Sequence, residues 1–293
     1  QEGLTCLVDS LETESYLNPV GRIIAQVTIK NYLIQRLRFV ESFKQHPEVY
    51  RAPLKPPLIV TGLARSGTSF LHRMLSMDPA HRALPQWQLM SPFSNPRKKY
   101  DGRRKRMEQS LRFREPLVQG ADAVHYTRAD TPEECIIVLG LTFNSLIFPT
   151  LFPVPGYLDW YLEEKDDTQK FHEYRCLLQH FQSEEVNQRL VLKTPAHTGN
   201  LRQIKNAIPQ AMVIQTHREP ATCVSSLCSL GYTFYRYEST SIDKIRIGEQ
   251  TANLNEVWLR RNIEFREKNP GVVYDVFYDS LVADPVGTVK QIY

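Results

Sequence analysis

Chemistry in this chain concentrates first in Gly62-Leu63-Ala64-Arg65-Ser66-Gly67-Thr68-Ser69. The two glycines and the hydroxyl of Ser69 fall where the phosphate-gripping pattern Gly-x-x-x-x-Gly-Lys-Ser/Thr has them. Thr68 stands where that pattern has lysine, and a strong cation, Arg65, sits inside the loop instead. In triphosphatases the lysine reaches the outer phosphates and the next hydroxyl holds magnesium. This loop therefore reads as a cradle for phosphate or sulfate without the usual metal arrangement. Its plain alternative is a tight turn with incidental glycines. A second candidate is Arg218, followed eight residues on by Ser226 and preceded by the strand-like run Ala211–Thr216. An arginine fork and a hydroxyl two helical turns later make a second anion site. The competing explanation is an arginine that caps local carbonyls. No set of cysteine, histidine and carboxylate residues has metal-ligand spacing.

These residues need elements to hold them. Leu58–Gly62 is a short, β-branched apolar run, read as a buried strand, and Phe70, Leu71, Met74 and Leu75 recur at helical spacing after the loop. The unpaired N–H groups and the dipole at such a helix start favour an anion. Further strands are expected at Leu190–Lys193, Ala211–Thr216 and Val272–Phe277, with helices near 200–207, 220–230 and 244–268. Pro220 suits a first helical turn. Arg218 would then stand at the carboxyl end of a strand, where ligands of such sheets bind. Strands alternating with helices predict an α/β fold with a central parallel sheet covered on both faces.

Residues 7–50 read as helical and Pro53, Pro56 and Pro57 break the chain after them. The expected organisation is a helical segment over 1–52 packed on a single domain over 53–293, with a helical insertion over 83–188 on the acceptor side. Within it, Thr131-Pro132-Glu133-Glu134 has the form of a helix start, opening a helix over 131–148, so both acids have a plain explanation as helix-end charges. A polar helix is expected over 166–186. Residues 149–160, rich in Phe, Pro, Tyr and Trp, would wall an apolar pocket or fill core.

Composition narrows the classes. Hydrophobic residues are 42% and charged residues 23%, enough for a sizeable core and too apolar for disorder. The net charge of +4 is too mild to imply nucleic acid. The five cysteines show no paired metal spacing and favour a reducing, cytoplasmic location. The longest apolar run, Ile136 to Phe148, is 13 residues and short of the ~20 that span a bilayer. Arg97, Lys98, Lys99, Arg103, Arg104, Lys105 and Arg106 form a basic cluster. It reads as a solvated helix face or as an electropositive approach for an anionic cofactor, acceptor, polymer or membrane surface.

Taken in order, three of these pieces resemble the sulfotransferases that use 3′-phosphoadenylyl sulfate (PAPS). Arg65-Ser66-Gly67-Thr68-Ser69 is similar to the family's 5′-phosphosulfate loop. Arg218 to Ser226 is similar to its 3′-phosphate motif, and Tyr278-Asp279-Ser280-Leu281 to its Tyr-x-x-Leu segment. The resemblance covers about residues 56–293. It is nearest the broad bacterial-type branch related to tyrosylprotein sulfotransferases, because Lys193-Thr194-Pro195 matches their Lys-x-Pro. It implies a P-loop-containing three-layer fold and transfer of a sulfuryl group to a hydroxyl or amine. The product would be adenosine 3′,5′-bisphosphate (PAP), and no metal is implied. It also implies roles: Arg65 and the loop on the 5′-phosphate, Lys193 near the bridging oxygen, Arg218 and Ser226 on the 3′-phosphate, and Tyr278 near the nucleoside.

Neither base known in the family transfers by position. The cytosolic branch has histidine two places after the lysine, where Pro195 stands here. The tyrosylprotein branch has a glutamate in a region that here reads Pro85-Gln86-Trp87-Gln88. His197 is the first candidate, since an ordinary histidine pKa of ~6.5 suits proton abstraction near neutrality. Glu133 follows, with Asp130 and His125 behind. The acceptor is expected to be a small molecule, lipid-like or a glycan, with peripheral membrane contact in view and the oligomeric state open. A variant-loop nucleotide kinase and a non-catalytic nucleotide-binding protein are the competing readings.

Overall fold

The structure, a computed structural model, describes residues 2–114, 127–163 and 165–293. The chain forms two compact units. One comprises 1–51, 85–164 and 229–244; the other comprises 52–84, 165–228 and 245–293. In chain order the first elements are α1 (Glu2–Thr13), α2 (Pro19–Gln45), α3 (Pro47–Arg51), β1 (Leu58–Gly62), α4 (Thr68–Leu75) and β2 (His81–Ala83). Next come α5 (Gln86–Met90), α6 (Arg103–Arg114), α7 (Ile136–Leu139), α8 (Ile147–Leu151), α9 (Pro155–Leu162), α10 (Thr168–Glu184) and β3 (Arg189–Lys193). A 3₁₀ turn (Pro195–Asn200) leads to α11 (Leu201–Ala207), β4 (Met212–His217), α12 (Pro220–Glu238), α13 (Lys244–Lys268), β5 (Val273–Phe277), α14 (Tyr278–Ala283) and α15 (Pro285–Ile292).

The second unit is built on the described chain's one sheet, five parallel strands in the order β2-β3-β1-β4-β5. Strand alternation explains its two faces. Leu58, Val60 and Ile214 point to one side, where Leu71 and Leu75 of α4 and Leu281 of α14 cover them. Val213 points to the other side and packs with Leu201 of α11 and Phe265 of α13. An α/β fold with a covered parallel sheet is thus what the alternation of elements predicts, and three of the four expected strands differ from the observed ones by a residue or so. The short edge strand β2 was not expected, because three residues, His81-Arg82-Ala83, carry no readable period. β1 lies at the centre. Val60 pairs with Lys193 on one side and Gly62 with Thr216 on the other, so three strand ends stand side by side.

The first unit is helical, with a core of aromatic residues. Tyr32 of α2 meets Phe148 edge-on at 5.3 Å, and Phe143 stacks on Phe148 at 5.7 Å. Two expectations change here. Residues 149–160 and the apolar run before them fill this core, as the burial of Phe148, Phe152, Tyr157 and Leu158 shows. The continuous helix over 131–148 does not form. Pro132 makes an antiparallel bridge with Pro85, the helix begins only at Ile136, and Phe143 breaks it in the left-handed region at φ 54°. Gly140, inside that break, lies so close that a Cβ there would meet the Tyr32 ring at 2.4 Å. Glu133 is therefore not a helix-end charge. The chain rejoins the sheet unit at Lys165, so α10 belongs with the sheet.

Candidate active site

The turn from β1 into α4 needs its glycines. Gly62 has φ 133° and a Cβ there would lie 2.3 Å from the Thr216 carbonyl oxygen. Gly67 has φ 96° and a Cβ would press the Tyr278 ring at 3.0 Å. Both values lie in the region open to glycine and strained for other residues. Arg65 is also left-handed, at φ 73°. A non-glycine residue held there commonly marks a functional turn.

What holds the turn open is a set of buried hydroxyls. Ser66 Oγ donates to the Leu63 carbonyl at 2.6 Å and lies 2.6 Å from Thr216 Oγ1. Its N–H also bonds Leu63. Ser66 thus shapes the loop from within, and of the sequence-identified loop residues it is the one whose donors are turned inward. Thr68, Ser69 and Phe70 supply first-turn N–H groups of α4, which an α-helix leaves without internal partners. Gly67 and Thr68 set that turn's position.

Side chains from three other elements meet there. Lys193, at the end of β3 and almost wholly buried, donates to Ser69 Oγ at 3.1 Å. Arg65 Nε donates to Ser226 Oγ of α12 at 3.0 Å, and Arg218 Nη1 donates to the Arg65 carbonyl at 3.0 Å. The Arg218 guanidinium lies over the Tyr278 ring, 4.2 Å from its centroid. The structure therefore brings together Arg65, Gly67, Thr68, Ser69, Lys193, Arg218, Ser226 and Tyr278. The start of α12 is already occupied by its own acid: Glu219 accepts from the N–H groups of Ala221 and Thr222 at 2.9 and 2.6 Å, which holds its carboxyl below the usual range. An anion near α12 would thus be met by Arg218 and Ser226 side chains rather than by that helix end.

The fit of a doubly phosphorylated nucleotide can be judged from this donor set. Cations, hydroxyls and backbone N–H groups converge, an aromatic ring flanks them, and the glycines keep the backbone close. Among the described residues no group of three or more histidine, cysteine, aspartate or glutamate side chains is arranged to hold a metal ion.

His197, the first candidate for the base, is turned into the core. It lies in the 3₁₀ turn after β3 with 0% of its surface exposed, and its Nε2 is 3.2 Å from the Tyr174 hydroxyl. Burial, with the Lys170 charge second, lowers its pKa to about 3. That enclosure argues against His197 as the base. Asp130 is exposed and held by two bonds from Arg104 Nε, at 2.8 and 3.1 Å, which lower its pKa. Glu133 is buried in the first unit, and its carboxylate accepts the Glu134 N–H at 3.2 Å. His125 lies outside the described residues. Sequence reading missed Thr198 and Asn262. Thr198 Oγ1 accepts the Gly62 N–H at 3.0 Å, and Asn262 Nδ2 reaches the Thr198 carbonyl at 3.0 Å. Nothing local marks either residue; the pairing of β1 with β3 brings Thr198 to the loop, and the packing of α13 on the sheet brings Asn262.

Comparison with known proteins agrees with this geometry. A family model described as "Sulfotransferase family" matches residues 56–293. The omega-hydroxy-beta-dihydromenaquinone-9 sulfotransferases Stf3 of Mycobacterium bovis and Mycobacterium tuberculosis are each 24% identical over 244 residues, 81% of this chain. The chain spans 62% of the length of these curated relatives. The crystal structure of sulfotransferase STF1 from Mycobacterium tuberculosis superposes with a TM-score of 0.87 at 32% identity, covering 100% of this chain and 81% of that one. That of STF9 from Mycobacterium avium gives 0.88 at 27% identity, covering 100% and 76%. A cradle of this construction, inside a region matched from β1 to the last helix, means that the chain belongs to the sulfotransferase family.

Proposed function

We propose that the chain transfers a sulfuryl group from PAPS to a hydroxyl of a hydrophobic, lipid-like acceptor, releasing PAP. The observation that carries this reading is the convergence of Arg65, Arg218 and Ser226 beside the start of α4, with Lys193 on Ser69. PAPS, when bound, supplies an activated sulfuryl group on a phosphate that leaves. Arg65 and the first-turn N–H groups of α4 would hold the 5′-phosphate. Arg218 and Ser226 would hold the 3′-phosphate, and Tyr278 would face the nucleoside. Negative charge grows on the leaving phosphate as the bond breaks, and donors already aimed at it need no reorganisation. Lys193, buried and in contact with Ser69, would be the donor that meets that charge.

In this reading His197 is not the base: His197→Gln should stay within about threefold in kcat at neutral pH, since burial keeps the ring neutral there. A loss of about a hundredfold or more would return the base to His197. The acceptor class is supported by the hydroxylated menaquinone in the relatives' name. The apolar stretch 136–160 lends it no weight, since that stretch is core. A cytoplasmic location is part of the same reading, supported by five cysteines of which none is joined in a disulfide among the described residues.

Thermal unfolding with PAP, against ATP with magnesium, on wild type and Arg218→Ala tests the donor site. A ligand at ~100 times its Kd stabilises the native state by about 2.7 kcal/mol. The expected outcome is a rise with PAP alone, lost in the variant. A rise with ATP–magnesium and none with PAP would overturn the reading in favour of a kinase.

A further inference from the structure

α2 is apolar on two opposite sides. Gly21, Ala25, Tyr32 and Phe39 face the first unit's interior. Val20, Ile23, Val27, Ile34 and Leu37 run along the other side at spacings of three, four and seven, with Leu37, Val27 and Ile23 exposed by 72%, 63% and 61%. A helix normally turns its polar face outward, and one apolar all round is covered on both sides. Glu41, Lys30 and, in line with Val20, Arg38 carry charge on that side.

A basic surface adjoins the stripe. Arg38 of α2 donates to the Phe93 carbonyl at 3.2 Å, and Arg103, opening α6, donates to the Ser91 carbonyl at 3.0 Å, so residues 91–93 bridge the two helices. Burial, then the Arg106 and Arg103 charges, lower the Arg38 pKa, in keeping with that proximity. Arg103 is paired with Asp101, and Arg104 with Glu108 and Asp130. Arg97, Lys98, Lys99, Lys105 and Arg106 are exposed, and among the described residues none of the five pairs with a carboxylate. Tyr100 and Phe113, 77% and 75% exposed, stand among them.

We infer that α2 and the 97–113 segment form a docking surface for an anionic lipid bilayer, with α2 lying in the plane of the interface. Charge complementarity selects this occupant. An apolar helix stripe beside exposed cations and exposed aromatics matches headgroups above and acyl chains below. A second copy suits it less well. A helix of 27 residues is about 40 Å long, so a face about 10 Å wide offers roughly half of the ~800 Å² per partner that a stable interface needs. A two-fold contact would also set like charges near one another. Every residue of this surface belongs to the first unit and every residue of the nucleotide cradle to the second.

Sedimentation of the full chain with vesicles tests the surface. The vesicles are phosphatidylcholine alone or an equimolar mixture with phosphatidylglycerol, at low and high salt. Wild type should sediment with the anionic vesicles and be released by salt. Leu37→Glu, and Lys98→Glu with Lys105→Glu, should each lower partition about tenfold or more. All three sites are exposed, and unchanged circular dichroism and an unchanged response to PAP establish that the variants are folded. Anionic-vesicle binding that survives both variants would overturn the assignment. So would absence of binding, whether the chain is then a monomer by light scattering or a dimer that Leu37→Glu disperses. A failed PAP response in wild type with vesicle binding intact would count against the donor reading alone.

Discussion

Two neighbouring turns, each following a central parallel strand, meet opposite ends. After β1 the chain opens through Gly62 to Gly67 and presents Arg65 and Ser69 to solvent. After β3 it closes: residues 192–201 are buried throughout. The second turn is sealed by α13. A Cβ on Gly199 would lie 2.3 Å from the Trp258 ring, and Asn262 bonds the Thr198 carbonyl and the Gln215 side chain, each at 3.0 Å. Its hydroxyls then serve the first turn, as Thr198 Oγ1 meets Thr61 Oγ1 at 2.9 Å and accepts from Gly62. One turn is the proposed ligand cradle and the other its internal scaffold. A polar residue beside a strand end therefore earns a chemical role only if no other element covers it.

The sharpest way to break this contrast is Gly62→Ala. Its φ of 133° and the Thr216 carbonyl at 2.3 Å leave no room, so destabilisation of about 3 kcal/mol or more is expected, with loss of the PAP response. Chemical denaturation reads the first and thermal shift the second. A mild effect would mean that the loop is not held as described. Thr198→Val removes the acceptor of the Gly62 N–H and should cost about 1–3 kcal/mol, weakening PAP although the residue is buried away from any ligand. Unchanged PAP affinity would uncouple the two turns.

Acid titration separates them differently. His197 has a folded pKa of about 3 against an ordinary 6.5, so the unfolded chain binds the extra proton. Its contribution is fully present above pH 6.5 and is lost as pH falls towards 3. Between pH 6.5 and 5 that amounts to about 2 kcal/mol. Stability measured by denaturant at both values should fall by this much more in wild type than in His197→Gln. Equal slopes would place His197 in contact with water. The smallest effect belongs to the exposed side. Ser226→Ala should leave stability unchanged yet weaken PAP by roughly tenfold, one lost hydrogen bond to a charged partner, readable by calorimetry.

How much was legible follows the same division. Arg65, Lys193 and Arg218 each sit within a few residues of a strand end, and Ser226 about two turns into α12, and these side chains meet beside the start of α4. The helix over 131–148 was misread. Its capping residues are sound locally, but the Pro85–Pro132 bridge and the Tyr32 ring override them.

The sequence by itself determined the parallel sheet and the open glycine turn after β1, since strand alternation, glycine backbone freedom and a cation in a loop are local properties of the chain. Only the tertiary structure decided which histidine stays out of reach, which serine turns inward and which helix carries an uncovered apolar side. Burial is a property of what packs against a residue: Trp258 and Asn262 lie about sixty residues from the turn they close.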